Sequence, residues 1–253
     1  MIDFKKSALI IGHPGHELRA FKFIIDFKPD VFIITDGSGS SNVSRINNSI
    51  KIIESLGARY IKLFEPIPDK KIYNYIREGN ISEIYNVKKV LFDQILNLKY
   101  DLIIGDSLEG FNPTHDLCRY IINSVIKDCQ NKTKRDILNY SFDLDKPPNQ
   151  INSNDSSILL ELNDLELEQK VKAAINYPEL KFEVEKVLKL YGKEAFKYEY
   201  YSKVSDLDNL KNWDNIYPQY EIYGNERVKN GLYTEVIEFE KHIKPIAHSL
   251  LEL

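Results

Sequence analysis

Residues 8–20 read ALIIGHPGHELRA: an apolar run closing on Gly12, then two histidines three apart with Pro14 and Gly15 between them. Near-continuous apolar residues bounded by turn formers predict a strand buried on both faces, since a strand covered on both sides has no need to alternate. The Pro-Gly pair breaks any helix, so His13 and His16 belong to a turn and not to one face of a helix. A loop that follows a strand is also where an α/β sheet builds its ligand site.

The same pattern recurs along the chain. DVFIITDG (30–37), RYIKLF (59–64) and DLIIGDS (101–107) predict three more buried strands. Between them Ile46, Ile50, Ile53 and Leu56 recur at helical spacing, with Gly57 as the stop. Residues 83–98 and 114–129 carry the same kind of apolar stripe: Ile84, Val87, Leu91 and Ile95, then Leu117, Ile121 and Val125. Strand and helix in alternation predict an α/β fold, a Rossmann-like, mostly parallel sheet with flanking helices. A polar, proline-containing loop spans 143–157, and ILLELN (158–163) predicts one further strand. From Asp164 onward the chain reads as helical and rich in tyrosine. Residues 1–253 are therefore expected to form one domain, with a core over about 1–162 and a helical C-terminal part over about 163–253.

Composition narrows the function classes. The 34 basic and 38 acidic residues leave a net charge of −4 with no basic stripe, which argues against a nucleic-acid partner. No apolar run is long enough to cross a bilayer, and MIDFKKSALIIG leads straight into a strand, unlike a signal peptide. A cytoplasmic protein without a membrane partner is expected, and a homo-oligomer is open. Cys118 and Cys129, eleven apart on a helix, share a face but lie too far apart along the axis to bond, so they are read as reduced core thiols.

Of the five histidines, His13, His16 and His115 fall in loops after the first and fourth strands. Three imidazoles would give zinc three ligands and leave a fourth position for water. Loop histidines also serve simply as hydrogen-bonding residues, so spacing alone leaves both readings open. His242 and His248 lie on a terminal amphipathic helix and are read as structural.

Taken together, GHPGHE after the first strand, TDGSGS after the second, SRINNSIKIIESLGA on the next helix and NPTHDLCR after the fourth strand resemble the LmbE/PIG-L-like family of zinc-dependent N-deacetylases. The likeness covers about the first 130 residues, with a looser echo in DLELEQKVKAAINYP (164–178). It implies a zinc-dependent hydrolase that removes an acyl group from an N-acylated amino sugar or a related small polar substrate. By position, His13, His16 and His115 match the metal ligands, His16 standing where the family usually has an aspartate. Glu17 matches a supporting glutamate of the catalytic loop. Arg45 lies near an arginine that holds substrate in relatives, without the acidic residue that usually follows it; Asn48 is close to that place.

Two further positions are not filled by the chemistry the family pattern leads one to expect. Gly15 stands where the family has its general base, an aspartate, and Asn112 where it has a histidine that stabilises the oxyanion. Glycine cannot take a proton, and loss of a positioned base costs about 10²–10⁴ in rate. A replacement carboxylate is sought first in Asp106 at the end of the fourth strand, then in Glu109 and Asp36. Asn112 can still donate a hydrogen bond to an oxyanion. Further along, Tyr220, Tyr223 and Tyr233 flank Arg227, a grouping that suits a sugar ring with an anionic substituent, such as a nucleotide sugar; the competing role for the tyrosines is packing. Zinc is the expected cofactor, with another divalent ion open. The alternative to a deacetylase is a family member with altered chemistry, or a silent one that binds or assembles.

Overall fold

The computed structural model describes residues 6–39, 41–145, 157–211, 213 and 217–252. Strands β1 (Ser7–Ile11), β2 (Asp30–Ile33), β3 (Arg59–Tyr60), β4 (Leu102–Asp106) and β5 (Leu138–Phe142) lie parallel, in the order β3-β2-β1-β4-β5. Beyond β5 the sheet continues through β7 (Tyr198–Lys203) and β6 (Ser157–Glu161), each antiparallel to its neighbour. The sheet is thus mostly parallel and α/β, as the alternating pattern predicts.

Apolar side chains leave both faces of the central strands. Ala8 and Ile10 of β1, Phe32 of β2 and Ile103 of β4 face one core, built with α4 (Ile81–Leu98), α5 (Pro113–Thr133) and α9 (Lys244–Glu252). Leu9, Ile11, Val31, Ile33, Leu102 and Ile104 face the other, under α1 (Phe21–Phe27) and α2 (Ile46–Ser55). Such two-sided burial is why these strands read as continuous runs. A smaller cluster joins Leu18 and Phe21 to Leu162, Leu167, Ala174, Tyr177 and Val184, and so seats α6 (Asp164–Ile175) and α7 (Lys181–Tyr191) beside the first loop.

The expected helical C-terminal part needs correction, because β7 lies within it and forms the bridge between β5 and β6. Its sequence, YEYYSK, carries Glu199 at a buried position, which breaks the apolar alternation a strand normally shows. Burial there is tolerated because Glu199 is fully bonded. Its Oε1 accepts from Lys170 Nζ at 2.7 Å and Lys22 N at 2.8 Å, and its Oε2 from Tyr201 Oη at 2.6 Å and Phe23 N at 3.2 Å. Two further shifts are smaller: β3 is only two residues long, and β2 ends at Ile33, short of Asp36. The predicted loop at 143–157 lies outside the described residues from 146 to 156.

Cys118 and Cys129 are buried free thiols. Among the described residues no helix is long and apolar enough to cross a membrane. Buried Arg119 on α5 ties the strand ends together, donating to Asp106 O, to Asn139 Oδ1 at 2.8 Å and to Tyr140 O at 3.1 Å. That brace sets the carboxyl end of β4 against β5, and the loop that leads into α5 starts from there.

Candidate metal centre

The loops after β1 and β4 bring His13, His16 and His115 together. Their ring centroids lie 5.4 Å apart for His13 and His16, 5.1 Å for His13 and His115, and 4.5 Å for His16 and His115, each pair edge to face. His115 is held on the first turn of α5, which Asn112 caps by accepting the Thr114 N–H at 2.8 Å, with Pro113 leading the helix.

Two of the rings have their tautomers set from behind. Thr35 Oγ1 donates to Gly12 O at 2.9 Å, so its 2.6 Å contact with His13 Nδ1 takes the hydrogen from the ring. Asp69 Oδ1, 3.3 Å from the same nitrogen, favours that arrangement. With the hydrogen on Nδ1, the ring turns its other nitrogen, Nε2, toward the remaining histidines, and that buried atom has no hydrogen-bond partner. His16 Nδ1 lies 3.0 Å from both oxygens of Asp106, which likewise leaves Nε2 as its acceptor. Burial lowers the pKa of His16 in spite of Asp106, and drives that of His115 well down, so neutral imidazole is favoured in both. His115 Nδ1 is also buried without a partner.

Among the described residues no group of three or more His, Cys, Asp or Glu side chains stands arranged to hold a metal ion. The donors nevertheless suit one in their chemistry. Imidazoles with free ring nitrogens, as on His13 and His115, and backed by a carboxylate or hydroxyl, as His13 and His16 are, form the usual ligand set of a divalent transition metal.

The other residues singled out from sequence fall into different places. Asp106 is fully buried between the Gly12 N–H, 2.8 Å from its Oδ2, and the His16 ring, a position that orients the ring and keeps the carboxylate out of direct contact with a substrate in the cleft. Glu17 is fully buried under the loop; its Oε2 accepts the Gly15 N–H at 2.7 Å, and burial pushes its carboxyl up to about 7. Glu109 accepts from the N–H groups of Leu144 and Asp145, both at 2.8 Å. Asp36 Oδ1 accepts the Ser38 N–H at 2.9 Å within its own turn. Arg45 lines the cleft, and its buried Nε lacks a partner. Asn48 donates to Glu179 at 3.3 Å. Tyr220, Tyr223 and Tyr233 line the cleft as well, but Arg227 does not; its guanidinium stacks on the Tyr223 ring, 4.6 Å from the centroid. His242 Nδ1 accepts the Glu238 N–H at 2.8 Å, and exposed His248 lies 3.2 Å from Glu252.

Gly15 has more to it than a missing aspartate. Its φ of +105° is one that L side chains rarely adopt, and a Cβ built there would lie 2.8 Å from Leu180 Cδ1 and 3.8 Å from the Tyr177 ring. The space that a side chain at 15 would enter is filled from the C-terminal half. A second glycine, Gly110, has no room for a Cβ beneath the ring of Trp213, and its carbonyl accepts the Tyr220 N–H at 3.1 Å. Sequence reading missed Thr35, Asp69, Tyr73 and Leu180. Of these, Asp69 had a signal: Pro68 followed by Asp69 at the head of α3 (Asp69–Glu78) is a helix-start pattern.

The three histidines line a cleft of about 1,240 Å³. Its walls come from the β1 and β4 loops, α3, α7, and α8 (Gln219–Lys229) with the segment that follows.

No protein-family model and no curated protein matches the chain. Solved structures do. The zinc-inhibited form of the teicoplanin deacetylase Orf2 aligns at a TM-score of 0.55 and 9% identity, over 80% of this chain and all of that one. The A40926 pseudoaglycone deacetylase Dbv21 gives 0.53 at 13% identity, covering 79% and 97%. GalB, the 4-carboxy-2-hydroxymuconate hydratase from Pseudomonas putida KT2440, gives 0.51 at 14%, covering 82% and 98%. The chain therefore shares its fold with these deacetylases and this hydratase, at identities so low that the likeness is one of fold.

Proposed function

We propose that this chain is a divalent-metal-dependent hydrolase that removes an acyl group from an N-acylated amino sugar or a related small polar molecule. The observation that carries the reading is the meeting of His13, His16 and His115 in one cleft, with buried ring nitrogens unpartnered. Support for the hydrolase class comes from deacetylases of the same fold; the zinc-inhibited form of one of them bears on metal binding and not on zinc as the active ion.

His13, His16 and His115 would hold the ion, zinc being the first choice. When bound, such an ion supplies a Lewis acid and lowers the pKa of bound water toward neutrality. The chain's own residues do the rest. Asp106 fixes the His16 ring, and Thr35 with Asp69 fixes the His13 ring, so that neither can turn its acceptor nitrogen away from the cleft. Phe111, Leu180 and Tyr233 give the cleft part of its apolar and aromatic lining. Arg45 lines the cleft and would hold an oxygen-rich or anionic part of the substrate through its guanidinium.

One observation favours a second reading. With no side chain at position 15 and Leu180 filling its place, a carboxylate base is lacking where the resembled family keeps one, and a hydratase shares the fold. A non-hydrolytic metal-dependent step, or a silent binding protein, would follow from that.

The test is metal content by elemental analysis of the protein and its His13→Ala/His115→Ala variant, with release of acetate from N-acetylglucosamine and N-acetylglucosamine-bearing nucleotide sugars. Near-stoichiometric metal lost in the variant, with turnover, is expected. Metal without turnover favours the second reading; failure to take up zinc, nickel or iron overturns the metal site.

A further inference from the structure

Tyr73 lies on α3, one turn beyond Asp69, and lines the cleft with the three histidines. Its hydroxyl meets the Asn112 side chain, with Asn112 Nδ2 3.1 Å and Asn112 Oδ1 3.3 Å from Tyr73 Oη. The orientation of that amide is fixed independently. Asn112 Oδ1 must be the atom that accepts the Thr114 N–H at 2.8 Å, because only the oxygen of an amide can cap a helix. Nδ2 therefore points at Tyr73 and donates to its oxygen. The tyrosine hydrogen has a long contact to Asn112 Oδ1, already engaged, and the Thr114 side chain as its other neighbour, and it can turn from these to a ligand in the cleft that Tyr73 lines. A hydroxyl that accepts one hydrogen bond also becomes a better donor of the next.

Both ends of the pair are tied to the metal-binding loops. Asp69, a turn before Tyr73, reaches His13 Nδ1 at 3.3 Å. The Asn112 carbonyl accepts the His115 N–H at 3.1 Å. Burial pushes the Tyr73 hydroxyl up to about 12, so it keeps its proton at neutral pH. We propose that Tyr73 is a catalytic hydrogen-bond donor to the oxygen anion that develops on the substrate carbonyl, and that Asn112 is the residue that positions it. The assignment rests on the hydrolase reading. It also gives Asn112 a role different from that of a direct oxyanion donor.

Two variants separate these roles. Tyr73→Phe removes the donor and leaves the ring. Asn112→Asp keeps the helix cap but replaces the Nδ2 donor by a second acceptor, which would draw the tyrosine hydrogen back toward residue 112. With zinc-loaded protein and N-acetylglucosamine, Tyr73→Phe is expected to lower kcat about 10²-fold or more with KM little changed. Asn112→Asp is expected to match that loss of kcat while melting close to the parent. A Tyr73→Phe kcat within about twofold of the parent would overturn the role of Tyr73. Parent-like kcat in Asn112→Asp would overturn that of Asn112.

Binding of methylphosphonate, a tetrahedral oxyanion, measured by calorimetry, keeps the donor pair testable if the protein hydrolyses no N-acyl sugar. Affinity that falls about tenfold in both variants supports the pair even where the hydrolase reading has failed. Equal affinity in the three proteins, or no binding by the parent, overturns it.

Discussion

Placing an aspartate at position 15, where the resembled family has its base, should not restore a base. Gly15 sits at a φ of +105°, and a non-glycine residue held in so sparsely populated a region costs on the order of 1–3 kcal/mol. Its Cβ would also lie 2.8 Å from Leu180 Cδ1, an overpacking that costs roughly another 1–3 kcal/mol. Together these give about 2–6 kcal/mol against a stability typical of about 5–15 kcal/mol, or a fall in Tm of roughly 5–20 °C for a chain of this size. The assay is urea unfolding of Gly15→Asp, Leu180→Ala and the double variant. Leu180→Ala removes the steric part and leaves the backbone part, so the pair should be non-additive by about 1–3 kcal/mol. Turnover of N-acetylglucosamine by the zinc-loaded Gly15→Asp protein should not rise. A Gly15→Asp protein as stable as the parent and at least tenfold faster would refute this reasoning, because the first loop could then accommodate a side chain that Leu180 was held to exclude.

Three other outcomes are expected. Asp106→Asn keeps an acceptor for the Gly12 N–H but loses the charge behind His16, and should weaken zinc binding about 10–100-fold in a competition titration. Glu109 is buried to the point that its carboxyl is pushed up to about 7 from an ordinary 4.5. The folded protein thus holds a proton that the unfolded chain has lost, and stability falls as pH rises from about 4.5 to about 7, by up to about 3 kcal/mol; Glu109→Gln should flatten that part of a Tm-against-pH curve, and an unchanged slope would count against the assignment. Glu199→Ala leaves Lys170 buried without its partner and should cost about 3–5 kcal/mol in urea unfolding, whereas less than about 1 kcal/mol would mean that water reaches the pair.

The parallel half of the fold could be read from sequence because its strands are buried on both faces and its helices carry clear apolar stripes. Ile46–Ser55 matches its predicted helix closely, and Pro113–Thr133 extends its own by a turn at the C-terminal end. What escaped were elements whose logic is long-range. Strand β7 hides behind Glu199, whose burial makes sense only once Lys170 and the N-terminus of α1 are beside it. At the site, the loops and the histidine grouping were legible from motif spacing, but the supporting atoms were not. Asp69 reaches His13 from 56 residues away in sequence, and Tyr73 reaches Asn112 from 39. Conversely, Asp106 at its strand end looked available as a base, and only the contact with His16 and the Gly12 N–H shows it to be enclosed.

Trp213 is the chain's single tryptophan, and its ring covers Gly110, two residues before Asn112 and five before His115. Excited apart from the 16 tyrosines, the whole molecule's emission therefore comes from one indole seated on the loop that carries Asn112 and leads into His115. A ligand or ion that shifts this loop alters the spectrum without any label, and the protein comes with its own optical gauge for screening substrates.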